Sequence, residues 1–380
     1  MVDNVNEILS EADSTDRRTF LARASVLSLA IPAAGVALVA CSPAGRQPRV
    51  DSATRAGMPG RSGEARQPHN SDSRLDSSVL KGEHRAGTSA TGSATQGAQS
   101  LAYHRWDPAL PPVSTAGRIQ LSWHAREAPV RISDDTVIAG WTFEGDIPGP
   151  IAHCRVGDTV EFTLTNDVDI PHSMDFHAAQ IDPKQAFRSV PKGQSVNFTF
   201  KPKYAGAYMY HCGTAPVLMH IGSGMFGAII VSPREPLPPA KEFVLVQNEY
   251  YLSDPANGLR ASDYQKMLNM LPDVVCFNGR PSQYIKDPIR VKVGDRVRFW
   301  VVSAGPSHPC NFHVVGEQFD RVYVGAPPAS PLVGVQTFTV PPGGGIVYEL
   351  VCDVPGEFPF VNHGFGHGQK GAIGILNVEA

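Results

Sequence analysis

The chain has 380 residues, 42% of them hydrophobic and 18% charged, with a formal net charge of -3. That length accommodates two domains that each bury a core, and the near-neutral balance gives no footing for nucleic acid. The 36 glycines and 33 prolines point to many short strands joined by tight turns.

Residues 1–41 read as an export signal and stand outside any fold argument. Asp16-Arg17-Arg18-Thr19-Phe20-Leu21 has the twin-arginine pattern used for proteins exported already folded. The apolar run from Ala24 to Ala40 is interrupted by Pro32, too short and broken for a comfortable membrane span. It ends in Leu38-Val39-Ala40-Cys41, a bacterial lipobox pattern in which Cys41 becomes the lipid anchor; the plainer alternative is an ordinary signal peptide with an incidental cysteine. Either way the protein is expected outside the cytoplasm, in the periplasm or at the cell surface. Residues 42–100 are Ser, Gly, Ala, Thr, Arg and Gln with almost no large apolar side chain, which predicts a disordered tether.

From Leu101 the pattern changes to short strand-like runs, such as Thr159 to Leu164, Ser195 to Phe200 and Arg296 to Val302. Only Ser262 to Leu271 hints at a helical period. The fold class is therefore all-β, built from β-sandwiches. An internal repeat divides it. Val156-Gly157-Asp158-Thr159-Val160 matches Val293-Gly294-Asp295-Arg296-Val297, and His172 and His177 match His308 and His313. Val190-Pro191-Lys192-Gly193 leads to His211 as Val340-Pro341-Pro342-Gly343 leads to His363. With the proline-rich stretch 233–239 as linker, the expected domains are 101–235 and 236–380.

The chemistry concentrates in Tyr210 to Met225, YHCGTAPVLMHIGSGM. Cys212, His220 and Met225 offer a thiolate, an imidazole and a thioether, and His172 supplies a second imidazole. Two imidazoles and a thiolate with a weak axial Met form the donor set of a blue-copper, or type 1, centre. In a strand, neighbouring side chains point to opposite faces, so Cys212 inside puts His211 outside. In His172-Ser173-Met174-Asp175-Phe176-His177 the same parity puts Asp175 and His177 on the face away from His172. His177 and His211 then form an outward pair, one imidazole short of a catalytic three-histidine site, and the repeat nominates His363 as the third. The second copy has Gly364 where the first has Cys212, so it cannot hold a type 1 centre.

PHSMDFHAA, YHCGTAPVLMHIGSGM with FGAIIV, and FHVVGEQFDRVY resemble the two-domain copper-containing nitrite reductases, and the likeness runs from about Val130 to Ala380. The closer likeness is to the class with seven residues between Cys and the second His. The resemblance implies two tandem Greek-key cupredoxin sandwiches and one type 1 and one type 2 copper per subunit. His172, Cys212, His220 and Met225 would hold the first copper. His177, His211 and, from the neighbouring subunit of a homotrimer, His363 would hold the second. It also implies that Asp175 and His313 handle protons while nitrite is reduced to nitric oxide. The electron would come from an external donor such as a small cupredoxin or a cytochrome c.

Two features depart from that family pattern. Gln180 to Phe187 replaces a Gly-rich stretch directly after His177, and His308, Cys310 and His367 are additional potential ligands in the second copy. The rival readings are a two-domain multicopper oxidase acting on oxygen or a small nitrogen compound, and a non-catalytic electron carrier. Against the first, the chain contains no His-x-His pair. Cys154, Cys276, Cys310 and Cys352 are open to disulfide pairing in an oxidising compartment, Cys310 with Cys352 above all, or to remaining buried thiols.

Overall fold

The structure is a computed structural model and describes residues 101–380; the export signal, Cys41 and the tether lie outside the described residues. The first half runs β1 (Arg118–Arg131), β2 (Val137–Phe143), β3 (Ala152–Arg155), β4 (Thr159–Asn166) and β5 (Asp175–Phe176). It continues through α1 (Pro183–Ala186), β6 (Ser195–Phe200), β7 (Gly206–His211), α2 (Val217–Gly222) and β8 (Phe226–Ser232). The second half runs β9 (Lys241–Tyr250), α3 (Tyr264–Leu268), β10 (Val274–Phe277), α4 (Gln283–Lys286) and β11 (Asp287–Lys292). Then come β12 (Arg296–Gly305), β13 (Cys310–Val314), β14 (Arg321–Tyr323), β15 (Thr337–Val340) and β16 (Gly345–Val351). It closes with β17 (Gly356–Asn362), α5 (Phe365–Gln369) and β18 (Ile373–Glu379).

Each half is a sandwich of two sheets. The first packs β2-β1-β4-β6 on β3-β8-β7-β5, and the second packs β10-β9-β12-β16-β14 on β11-β18-β17-β13-β15. The repeat extends to strand pairing, because β1 runs parallel to β4 as β9 does to β12, and β3 parallel to β8 as β11 does to β18. The Val-Gly-Asp motif shows why its residues recur. Gly157 and Gly294 take φ of 75° and 85°, a left-handed turn that a side chain would strain. The following carboxylate then accepts a backbone N–H three residues back, Asp158 from Arg155 at 2.8 Å and Asp295 from Lys292 at 2.9 Å.

Period-two alternation builds the cores. Along β4, Val160, Phe162 and Leu164 are buried while Glu161, Thr163 and Thr165 are partly exposed. β7 carries the alternation that matters for the site. Ala207 and Met209 enter an apolar cluster shared with Val244, Val246, Trp300 and Val347 of the second half, whereas Tyr210 and Cys212 enter the first sandwich's own core. One strand therefore serves both the interior of the first sandwich and its junction with the second.

Two expectations need correction. The helical hint at Ser262 to Leu271 becomes only the five-residue α3, capped by Asp263, whose side chain accepts the Lys266 N–H at 3.0 Å. Cys154, Cys276, Cys310 and Cys352 are free and buried among the described residues, so the Cys310–Cys352 disulfide does not form. Cys310 begins β13 in one sheet and Cys352 follows β16 in the other. Burial pushes the Cys154 and Cys352 thiols up to about 12.

Candidate copper centres

Two donor clusters form, on opposite faces of β7. The first is wholly buried and consists of His172, Cys212 and His220, with ligand atoms within 4.8 Å of one another. Nδ1 of His172 and Nδ1 of His220 face each other at 3.1 Å, and Cys212 Sγ lies 3.2 Å from the second and 3.9 Å from the first. Met225 is fully buried beside them, its carbonyl accepting the Cys212 N–H and its own N–H reaching the His220 carbonyl, both at 3.1 Å. Trp141 packs edge-on to both rings, 4.9 Å from His220 and 5.8 Å from His172 between centroids.

The electrostatics of this cluster suit a cation. Burial lowers both imidazoles from 6.5 to about 4, with the nearby His220 adding to the effect on His172, so both rings are neutral and ligand-ready. Burial pushes the Cys212 thiol up, while backbone N–H groups of Ser173 and Thr214 pull it back toward the thiolate. The Ser173 N–H donates to Sγ at 3.3 Å. Without a cation, each close pair in this knot needs a proton between its atoms, whereas copper satisfies all three donors at once. Meanwhile His172 Nε2 is buried with no partner, so nothing on that side of the ring competes for its orientation.

The second cluster is Asp175, His177 and His211, more open to solvent than the first. His211 donates Nδ1–H to the Cys212 carbonyl at 2.9 Å, and His177 donates Nδ1–H to the Gly343 carbonyl at 2.8 Å. A carbonyl can only accept, so both neutral rings keep their proton on Nδ1. Their bare Nε2 atoms then point at each other across 3.0 Å. Two lone pairs at that separation repel unless a cation or a shared proton lies between them. Burial lowers the His211 pKa, opposed by the Cys212 carbonyl, and so favours its neutral form. Asp175 Oδ2 stands 3.9 Å from His211 Nε2. The residues fit a copper ion here as well.

Within one chain His363 is not part of this cluster. Its ring lies 5.2 Å from that of His313 on the second sandwich, and its backbone N–H donates to the Asn311 carbonyl at 2.7 Å. His313 donates Nδ1–H to the Gln336 carbonyl at 2.6 Å, which leaves its Nε2 outward. The additional ligands His308 and His367 also meet, with ring centroids 4.7 Å apart, and His308 Nε2 donates to the Met270 carbonyl at 2.9 Å. Within Gln180 to Phe187, α1 forms with Asp182 as N-cap, pinned by buried Ala186 and by Phe187 against Phe198. Sequence reasoning missed Ser173, Trp141 and the Gly343 carbonyl. Adjacency to His172 is a signal for Ser173, but none exists for the other two.

Two stacked sandwiches with a buried Cys-His-His set and an open His-His-Asp set define a cupredoxin-type copper oxidoreductase. A multicopper oxidase family profile matches residues 124–236. The copper-containing nitrite reductase of Neisseria meningitidis serogroup A is 38% identical over 286 residues, covering 72% of this chain and 73% of that one. Among solved structures, the copper nitrite reductase of Nitrosomonas europaea superposes with a TM-score of 0.64 at 34% identity, covering 69% of this chain and 94% of that chain. The copper-containing nitrite reductase of Thermus scotoductus gives 0.63 at 30%, covering 69% and 62%. This chain belongs to the copper-containing nitrite reductase family.

Proposed function

We propose that this protein reduces nitrite by one electron to nitric oxide and water, consuming two protons. The observation that carries the reading is the pair of donor clusters hung on consecutive residues, His211 and Cys212. His172, Cys212 and His220 would hold a copper that supplies a one-electron couple, and His177 and His211 would hold one that supplies Lewis acidity toward an anion.

The chain's own residues supply the remainder. Cys212, His172 and His220, with Met225 beside them, form a dry, pre-organised pocket suited to electron transfer. The His211–Cys212 peptide joins this pocket to the open set, the shortest covalent path an electron could take between them. Asp175, on the same face as His177 and His211, is placed to hydrogen-bond an oxygen of the bound anion and to deliver a proton to it. His313, which sits beside His363, would supply the second proton from Nε2 at the site to which its subunit lends His363, while the Gln336 carbonyl holds its Nδ1–H.

The repeat assigns His363 as third ligand of the open set. Its separation from that set within one chain favours contribution by a neighbouring subunit, with a cyclic homotrimer as the closed arrangement. The seven residues between Cys212 and His220 support the short-loop class. In this reading the amino end exports the folded protein and anchors it through Cys41, and a small cupredoxin or a cytochrome c donates the electron. Copper content and absorption spectra test the site assignment. Wild type should hold two coppers per chain, and Cys212→Ser should lose the thiolate charge-transfer band and one copper while His177→Ala keeps the band. A retained band in Cys212→Ser would overturn the assignment.

A further inference from the structure

The second sandwich touches the open imidazole pair through the turn between β15 and β16, Val340-Pro341-Pro342-Gly343-Gly344-Gly345. The first sandwich has the equivalent turn, Val190-Pro191-Lys192-Gly193-Gln194-Ser195, with one glycine where the second has three. The two turns share their geometry. Gly193 and Gly343 take φ of 71° and 77°, and each donates its N–H at 2.7 Å, to Asn166 and Ser303 respectively. The left-handed backbone of the turn therefore calls for the first of the three glycines.

The contact with β7 accounts for Gly345. A Cβ on Gly345 would fall 2.0 Å from the Ala207 carbonyl oxygen, so β16 starts flush against the strand that ends in His211. With the turn seated there, the Gly343 carbonyl accepts the His177 Nδ1–H at 2.8 Å, and a Cβ on Gly343 would lie 3.3 Å from His177 Cε1. At Gly193 a Cβ would meet nothing within 4 Å.

The geometry points to Gly343 as a positioning residue, with Gly345 as the contact that seats it: the second sandwich of the same chain fixes the tautomer and rotation of His177. The His177 side chain is exposed, and apart from the Gly343 carbonyl it meets the His211 ring. The carbonyl selects the Nδ1–H form and turns the bare Nε2 toward His211. Outer hydrogen bonds of this kind are worth about 10- to 100-fold in metal affinity. The inference rests on the reading of His177 and His211 as copper ligands. It makes the inter-sandwich junction, rather than the first sandwich alone, responsible for the shape of that site.

The test compares Gly343→Ala and Gly345→Ala with Gly193→Ala, which carries a similar backbone strain in a turn that does not reach His177. Chelator competition on the copper-loaded full chain is read by the type 2 electron paramagnetic resonance signal, with the type 1 absorption band as internal reference. Imidazole nitrogen resonances of the full chain freed of copper report the His177 tautomer. We expect type 2 copper affinity to fall about 10- to 100-fold in Gly343→Ala and Gly345→Ala. Those two variants should also show mixed His177 tautomers, with the type 1 band and Gly193→Ala unchanged. Affinity and tautomer equal to those of Gly193→Ala would overturn the inference. Should Gly345→Ala fail to fold, Gly343→Ala decides by the same comparison. If wild type holds no second copper, the copper reading fails, and the tautomer measurement still decides the role of Gly343.

Discussion

Cys212 shows how one residue can carry opposing demands. Its burial opposes the thiolate, its backbone donors favour it, and the two imidazoles beside it are kept neutral by the same apolar surroundings. The metal-free protein should therefore respond to acid in a defined window. His172 and His220 have folded-state values of about 4 against 6.5 for the ordinary imidazole. Above the ordinary value both states hold them neutral. As the pH falls from 6.5 toward 4 the unfolded chain takes up protons that the folded one refuses, so stability falls. The loss should approach about 3 kcal/mol per imidazole, measured by denaturant unfolding of the copper-free protein. The double variant His172→Gln/His220→Gln should flatten that slope, and an unchanged slope would contradict the account. At the open set, Asp175→Asn removes the proposed proton donor while leaving the imidazoles in place. Turnover should drop about 10²- to 10⁴-fold with copper content unchanged, as read by steady-state rate and metal analysis.

At the scale of the element, the alternation of β7 decides the architecture, and it was legible. Strand parity alone separated His211 from Cys212, and separated Asp175 and His177 from His172. The structure gathers these residues into the two clusters so expected. Strands such as β4 and β6 could be read because one face is apolar and the other polar. What could not be read were contacts set by distant chain. Gly343 meets His177 across 166 positions, and Trp141 reaches both buried imidazoles from another strand. The disulfide expectation failed for a related reason, since cysteine count carries no information about which sheet each thiol enters. Packing around β7 gives a further check. A Cβ on Gly227 would fall 2.2 Å from the Tyr210 hydroxyl, which donates to the Pro150 carbonyl at 2.7 Å. Gly227→Ala should cost about 1–3 kcal/mol of unfolding free energy and, because Tyr210 precedes His211 and Cys212, broaden the type 1 absorption band. A variant as stable as wild type would show that the strand yields without cost.

Across the whole molecule, the two sandwiches are held by a shared apolar cluster and by buried Arg280, which reaches Asp146 at 2.7 Å and the Ile147 carbonyl at 2.7 Å. That junction lets the second sandwich brace His177 of its own chain while, in the proposed trimer, lending His363 to a neighbour. Subunit mixing tests the shared site. His177→Ala and His363→Ala chains, each inactive alone, should regain partial activity when unfolded and refolded together, because some interfaces then pair an intact His177 with an intact His363. Absence of recovery in mixed trimers would place the whole site within one chain. The central claim is the reaction itself. Its most direct measurement is nitric oxide release from nitrite, without oxygen, by the copper-loaded protein and a reduced chemical donor. The account predicts sustained turnover, one nitric oxide per electron supplied, lost in Cys212→Ser; no nitric oxide from protein shown to hold both coppers would contradict it.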